Sequence, residues 1–122
     1  MLGQASANRE WWGGIDHEVV YERFMKQMSE LGLANVVKIH RQKSDEVDPP
    51  QSIGILHVDG NHGPQAEKDI QRFAPNVKAG GLLVMDDLNW EGGYVGRAYE
   101  NAKRMGFVEL YRIEMGACLQ RQ

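Results

Sequence analysis

IGILHVDGNHGPQAEKDIQRFAPNVKAGGLLVMDDL, residues 53–88, decides the fold. Two short apolar runs, 53–58 and 82–85, each end in acid: Asp59 after the first, Asp86 and Asp87 after the second. Runs of this length bounded by turn residues suit strands covered on both faces, as in parallel sheets. Between them, Ala66, Ile70, Phe73 and Ala74 recur at helical spacing, and Glu67, Lys68, Gln71 and Arg72 take the solvated side. Ala79-Gly80-Gly81 closes the helical segment. The reading is a strand at 53–58, a turn at 60–64, a helix at 65–75 and a strand at 81–86. In open α/β sheets ligands sit outside the carboxyl ends of the strands. Both acidic tips are therefore expected at one edge of the sheet, and that edge is expected to hold a metal ion.

Upstream, Asp16 is an N-cap, and Val19, Val20, Phe24, Met28 and Leu31 recur at helical spacing before Gly32. This predicts a helix over 17–31. Val36-Val37-Lys38-Ile39-His40 reads as a β-branched strand. Asp48-Pro49-Pro50-Gln51 then marks a loop. Residues 1–16 read as a loop with one helical turn at 5–11, whose Trp11 and Trp12 lid a pocket or cover a hydrophobic edge.

Downstream, 88–93 is a loop and 94–105 a helix with Val95, Ala98, Ala102 and Met105 on one face. Residues 107–113 alternate like a strand, 114–116 turn, and 117–120 pair back antiparallel. From residue 53 the order is β–α–β–α–β–β. The expected class is α/β: a Rossmann-like, mostly parallel sheet with helices on both faces and a C-terminal antiparallel hairpin, in a single domain over 1–122.

The chain has 122 residues, 42% hydrophobic and 25% charged, with a net charge of -3. That is one small globular domain, without the basic balance that nucleic acid favours. Cys118 is the only cysteine, which excludes an internal disulfide and a cysteine zinc site. A cytoplasmic setting is the default expectation. No apolar run approaches a membrane span, and the N-terminus lacks the charged start and apolar core of a signal peptide.

Carboxylates converging on one edge repel, by about 4 kcal/mol for two charges about 4 Å apart at an effective dielectric of about 20. A divalent cation between them removes that repulsion. All-oxygen ligands suit magnesium, calcium or manganese. His62 lies on the turn leading from Asp59. It reads as a general base, a further metal ligand, or a histidine that caps the next helix. Asp59 before Gly60 also fits a plain turn, and Asp87 a helix cap. Ser44, after the 36–40 segment, also fits an N-cap. Trp90 walls a substrate pocket or packs.

At these residues the sequence resembles class I S-adenosylmethionine-dependent methyltransferases. HVDGNH, a helix, and then APNVKAGGLLVMDD are similar to the small-molecule O-methyltransferase pattern "hydrophobic-D-G-x-H … L-x-P-G-G … D-D". That branch includes macrocin- and catechol-type enzymes and cephalosporin-hydroxylase-like proteins. The likeness covers residues 36–121, and the helix before them fits it. It implies a divalent metal, expected as magnesium, on Asp59, Asp86 and Asp87. It implies catalytic roles for His62, where the catechol-type enzymes have a lysine base, and for Asp59. It places Ser44 near the cofactor's adenine and Asp59 at the cofactor. Asn61 stands where many relatives have acid.

The glycine-rich loop that such enzymes use after their first strand has no counterpart here, and nothing before residue 36 reads as a strand. The expectation is the C-terminal part of a longer methyltransferase. Strand 36–40 would then slide in beside 53–58, or that edge would be exposed or paired with another chain, which implies a homo-oligomer. The function implied is methyl transfer from S-adenosylmethionine to a hydroxyl of a small molecule. The alternatives are a binding or assembly module that keeps the metal site without turnover, and a magnesium-dependent nucleotide hydrolase. The hydrolase lacks its G-x-x-x-x-G-K-[ST] loop.

Overall fold

The computed structural model describes residues 13–122. The tryptophan pair and the helical turn expected at 5–11 lie outside the described residues, as does most of the expected 1–16 loop. The chain divides into two units, Met1–Gln42 and Lys43–Gln122.

In the first unit, helix α1 spans His17–Glu30. Asp16 caps it as expected: its carboxylate accepts the Glu18 and Val19 N–H groups at 3.0 and 3.3 Å. Gly32, at φ 69°, turns the chain out, and Leu33 N–H returns to Met28 O at 2.8 Å. Residues 36–40 do not form the expected strand. The Val36 and Val37 N–H groups both donate to Leu33 O at 3.0 Å, so the segment starts as a turn. β propensity expresses itself only against a neighbouring strand, and the described residues supply none here. Arg41 instead returns to α1, where its guanidinium binds the Glu18 carboxylate and lies 4.4 Å from the Tyr21 ring centroid.

In the second unit the elements are β1 (Ile53–Val58), α2 (Pro64–Phe73), β2 (Val77–Met85), α3 (Tyr94–Arg104), β3 (Phe107–Ile113) and β4 (Gly116–Arg121). They form a four-stranded sheet in the order β1-β2-β4-β3. β1 and β2 are parallel, and β4 runs antiparallel to both β2 and β3. This is an α/β, Rossmann-like sheet with a C-terminal antiparallel hairpin. The outer edge of β1 has no partner strand among the described residues. No described helix is long and apolar enough to cross a membrane.

α2 and α3 pack against one face of the sheet. Ile70, Ala98 and Ala102 meet Leu83, Met85, Phe107 and Leu119, all buried. The opposite face carries Ile55, Val108, Tyr111 and Ile113, all exposed. The alternation of the strands separates the two sets.

β2 begins earlier than the expected 81–86. Ala79-Gly80-Gly81 lies inside it, where the register slips from Ile53↔Val77 to Ile55↔Leu82. Gly81 makes this irregularity feasible: a Cβ there would sit 2.7 Å from Val77 Cγ1 and 2.8 Å from Lys78 O. The glycines therefore bend the strand. The helix itself ends earlier, through the 3-10 turn Ala74–Asn76.

Candidate active site

β1 and β2 run parallel with Val58 opposite Met85, so the residues that follow them leave the same edge of the sheet. Below Asp59, the Asn61 side chain accepts Gly63 N–H at 2.8 Å. This Asx turn starts α2 with Pro64 in its first turn and sets His62 beside the β2 tip. At that tip Asp87 adopts φ 56°, a left-handed conformation that aspartate tolerates better than most residues. Leu88 N–H donates to Met115 O at 3.0 Å and Trp90 N–H to Asp87 O at 2.9 Å, which hold the turn.

Three side chains meet there. Ligand atoms of Asp59, His62 and Asp87 all lie within 4.8 Å of one another. His62 Nε2 is 2.8 Å from Asp87 Oδ2. Both side chains are 21% exposed, so solvent screens the pair only in part. An ionised carboxylate can only accept, so Nε2 would be the donor in this contact. The Trp90 indole stacks on the imidazole with centroids 4.2 Å apart and an interplanar angle of 18°. His62 is thus fixed both in its ring plane and across its face.

Asp86 behaves differently. It is exposed, and its Oδ1 accepts the Asp87 N–H at 2.8 Å. It lies outside the group of three. Asp86 and Asp87 both line a cavity on the open face of the sheet.

Ser44 sits in a 3-10 turn, Ser44–Glu46, that the second unit anchors firmly. Its hydroxyl accepts from Gln65 Nε2 at 3.1 Å, and Arg72 donates to the backbone carbonyls of Ser44 and Val47. Because the Ser44 oxygen accepts here, its hydrogen remains available to a further partner.

The donor set suits a divalent ion. Ligands about 2.1 Å from a magnesium-sized ion lie roughly 3 Å apart when adjacent and roughly 4.2 Å apart when opposite. The observed spread of up to 4.8 Å is within a small side-chain adjustment of that. The two carboxylates match the oxygen donors that such ions take, whereas the imidazole suits zinc or iron better and is left for another role. Sequence reasoning missed the Trp90 stack on His62. A lone tryptophan on a glycine-flanked loop carries no periodicity to place it.

A family model described as a methyltransferase domain matches residues 1–88, a span that takes in both acidic tips. No curated protein matches the chain.

Proposed function

The chain belongs to the methyltransferase domain family, and from that premise we propose that it transfers a methyl group from S-adenosylmethionine to a hydroxyl of a small molecule, with a divalent metal assisting. Family membership implies S-adenosylmethionine as the donor, whose sulfonium supplies an electrophilic methyl group. The observation that carries the rest is the grouping of Asp59, His62 and Asp87 within 4.8 Å at the strand tips.

Asp59 and Asp87 would hold the metal, which supplies a Lewis acid for an acceptor oxygen. His62 is the proton acceptor. Its Nε2 would donate to Asp87, which leaves Nδ1 to take the proton, and Trp90 stacks on its face. The acceptor hydroxyl gives its proton to Nδ1 as its oxygen forms a bond to the methyl carbon. The carbon–sulfur bond breaks, and the pair stays on sulfur in the departing thioether. Ser44 offers its free hydroxyl hydrogen to the donor's adenine, from a turn that Arg72 and Gln65 hold rigid. Asp86 bonds the Asp87 N–H and so supports the strand-end turn.

The test is formation of S-adenosylhomocysteine from S-adenosylmethionine with a panel of phenol and sugar acceptors, with magnesium or with a chelator. The reading expects magnesium-dependent turnover that falls at least about 100-fold in His62→Ala. Donor binding without turnover on any acceptor would favour a non-catalytic binding module. Turnover indifferent to both magnesium and His62 would overturn the assignment.

A further inference from the structure

The open face of the sheet carries a cavity of about 410 Å³, within the size range of small-molecule sites. One row of cross-strand neighbours makes its floor: His57, Val84, Cys118 and Tyr111, in register across β1, β2, β4 and β3. The β3–β4 turn, with Ile113, Glu114 and Met115, makes its wall.

Its charge is one-sided. Asp86, Asp87 and Glu114 line it, and no lysine or arginine does. Asp87 is engaged by His62, but among the described residues neither Asp86 nor Glu114 has a cationic partner. The floor carries the His57 imidazole at its β1 end and is otherwise apolar or aromatic apart from the Cys118 thiol. The Cys118 thiol lines the cavity, is only 3% exposed and has no hydrogen-bond partner among the described residues. A free thiol behaves as a small apolar group, so it suits an apolar part of a guest.

We propose that this cavity binds an organic cation with an apolar body, the ammonium group between Asp86 and Glu114 and the body against Tyr111, Ile113 and Cys118. Two unpaired carboxylates attract the charge, and the Tyr111 ring adds a cation–π contact. The cavity adjoins the methyl-transfer site through Asp87, but its proposed guest needs neither donor nor metal.

The probe is benzyltrimethylammonium, titrated into the chain in the presence of a chelator and followed by amide chemical shifts. Saturable shifts are expected at residues 111–118 and at Asp86, with a dissociation constant on the order of 1 mM. Asp86→Asn keeps the oxygen that accepts the Asp87 N–H, and Glu114→Gln keeps side-chain length, so both variants should fold. Each should weaken binding about threefold, and the pair about tenfold. Neutral benzyl alcohol should bind at least about tenfold more weakly. The proposal is overturned by an absence of saturable shifts up to about 20 mM, by shifts centred on Asp59 and His62, by an unaffected double variant, or by equal binding of the neutral probe.

Discussion

Asp86 and Asp87 are adjacent, chemically identical and at the tip of the same strand, and both line the open-face cavity, yet they take different partners. Asp87 joins His62 at 2.8 Å and is 21% exposed. Asp86 is exposed and bonds only the backbone of its neighbour among the described residues. β2 ends at Met85, and Asp87 lies beyond it in a left-handed conformation at φ 56°, so the two carboxylates leave the tip toward different partners. A doublet of acids at a strand end thus divides into two roles, and the backbone decides which does what.

The largest effect expected from this comparison is on metal affinity. Asp87→Ala should cost at least about 100-fold in magnesium affinity, because it removes a ligand and frees His62. Asp86→Asn should change it by no more than about threefold, since the amide oxygen still accepts the Asp87 N–H. Isothermal titration of the two variants side by side checks this, and equal losses would erase the distinction.

The same contrast extends to stability. Leu83 is fully buried beneath the helices, and Leu83→Ala should cost about 2–5 kcal/mol in urea unfolding. Ile55, on the open face and 67% exposed, should cost less than about 0.5 kcal/mol when cut to alanine. A large loss at Ile55 would mean that something covers the open face in solution.

A smaller effect concerns the ring over His62. Stacked aromatic pairs contribute about 0.5–1.5 kcal/mol. Trp90→Ala should therefore lower kcat/KM by about 2- to 12-fold, while Trp90→Phe recovers most of it. An unchanged rate in Trp90→Ala would reduce the stack to packing.

The smallest effect tests the far edge of the sheet. Glu109 accepts from Arg112 at 2.8 Å and from Tyr99 at 3.0 Å, and these bonds hold its carboxyl below the usual range. A depressed folded-state pKa contributes stability above the unfolded value, and that contribution is lost as pH falls through the folded value. Glu109→Gln should therefore melt slightly below the parent at neutral pH, and the gap should close in acid below about pH 4. Added salt should shrink it too, since the pair is open to solvent. A gap that persists in acid would point to packing at Tyr99 instead of charge.

Much of this arrangement was legible in the sequence. The strand–helix–strand unit, the cap at Asp16 and the closing hairpin all follow from periodicity and turn chemistry. Asp59 and His62 could be placed at one edge because parallel strands bring their carboxyl ends together. Residues 36–40 misled because β-branched residues make a strand only when another strand accepts them. Ala79-Gly80-Gly81 misled because glycines that bend a strand and glycines that stop a helix look alike in one dimension. The different partners of Asp86 and Asp87 depend on the left-handed turn at Asp87, which a one-dimensional pattern does not show. The His62–Trp90 stack joins two loops, and loops carry no period.

The most direct test of the methyl-transfer site is calorimetric titration of the chain with S-adenosylmethionine, with and without magnesium, repeated on Asp87→Ala. The account predicts micromolar donor binding, magnesium bound by the parent chain, and magnesium binding lost in the variant. Magnesium bound equally by the parent and by Asp87→Ala, or no donor binding under either condition, would contradict it.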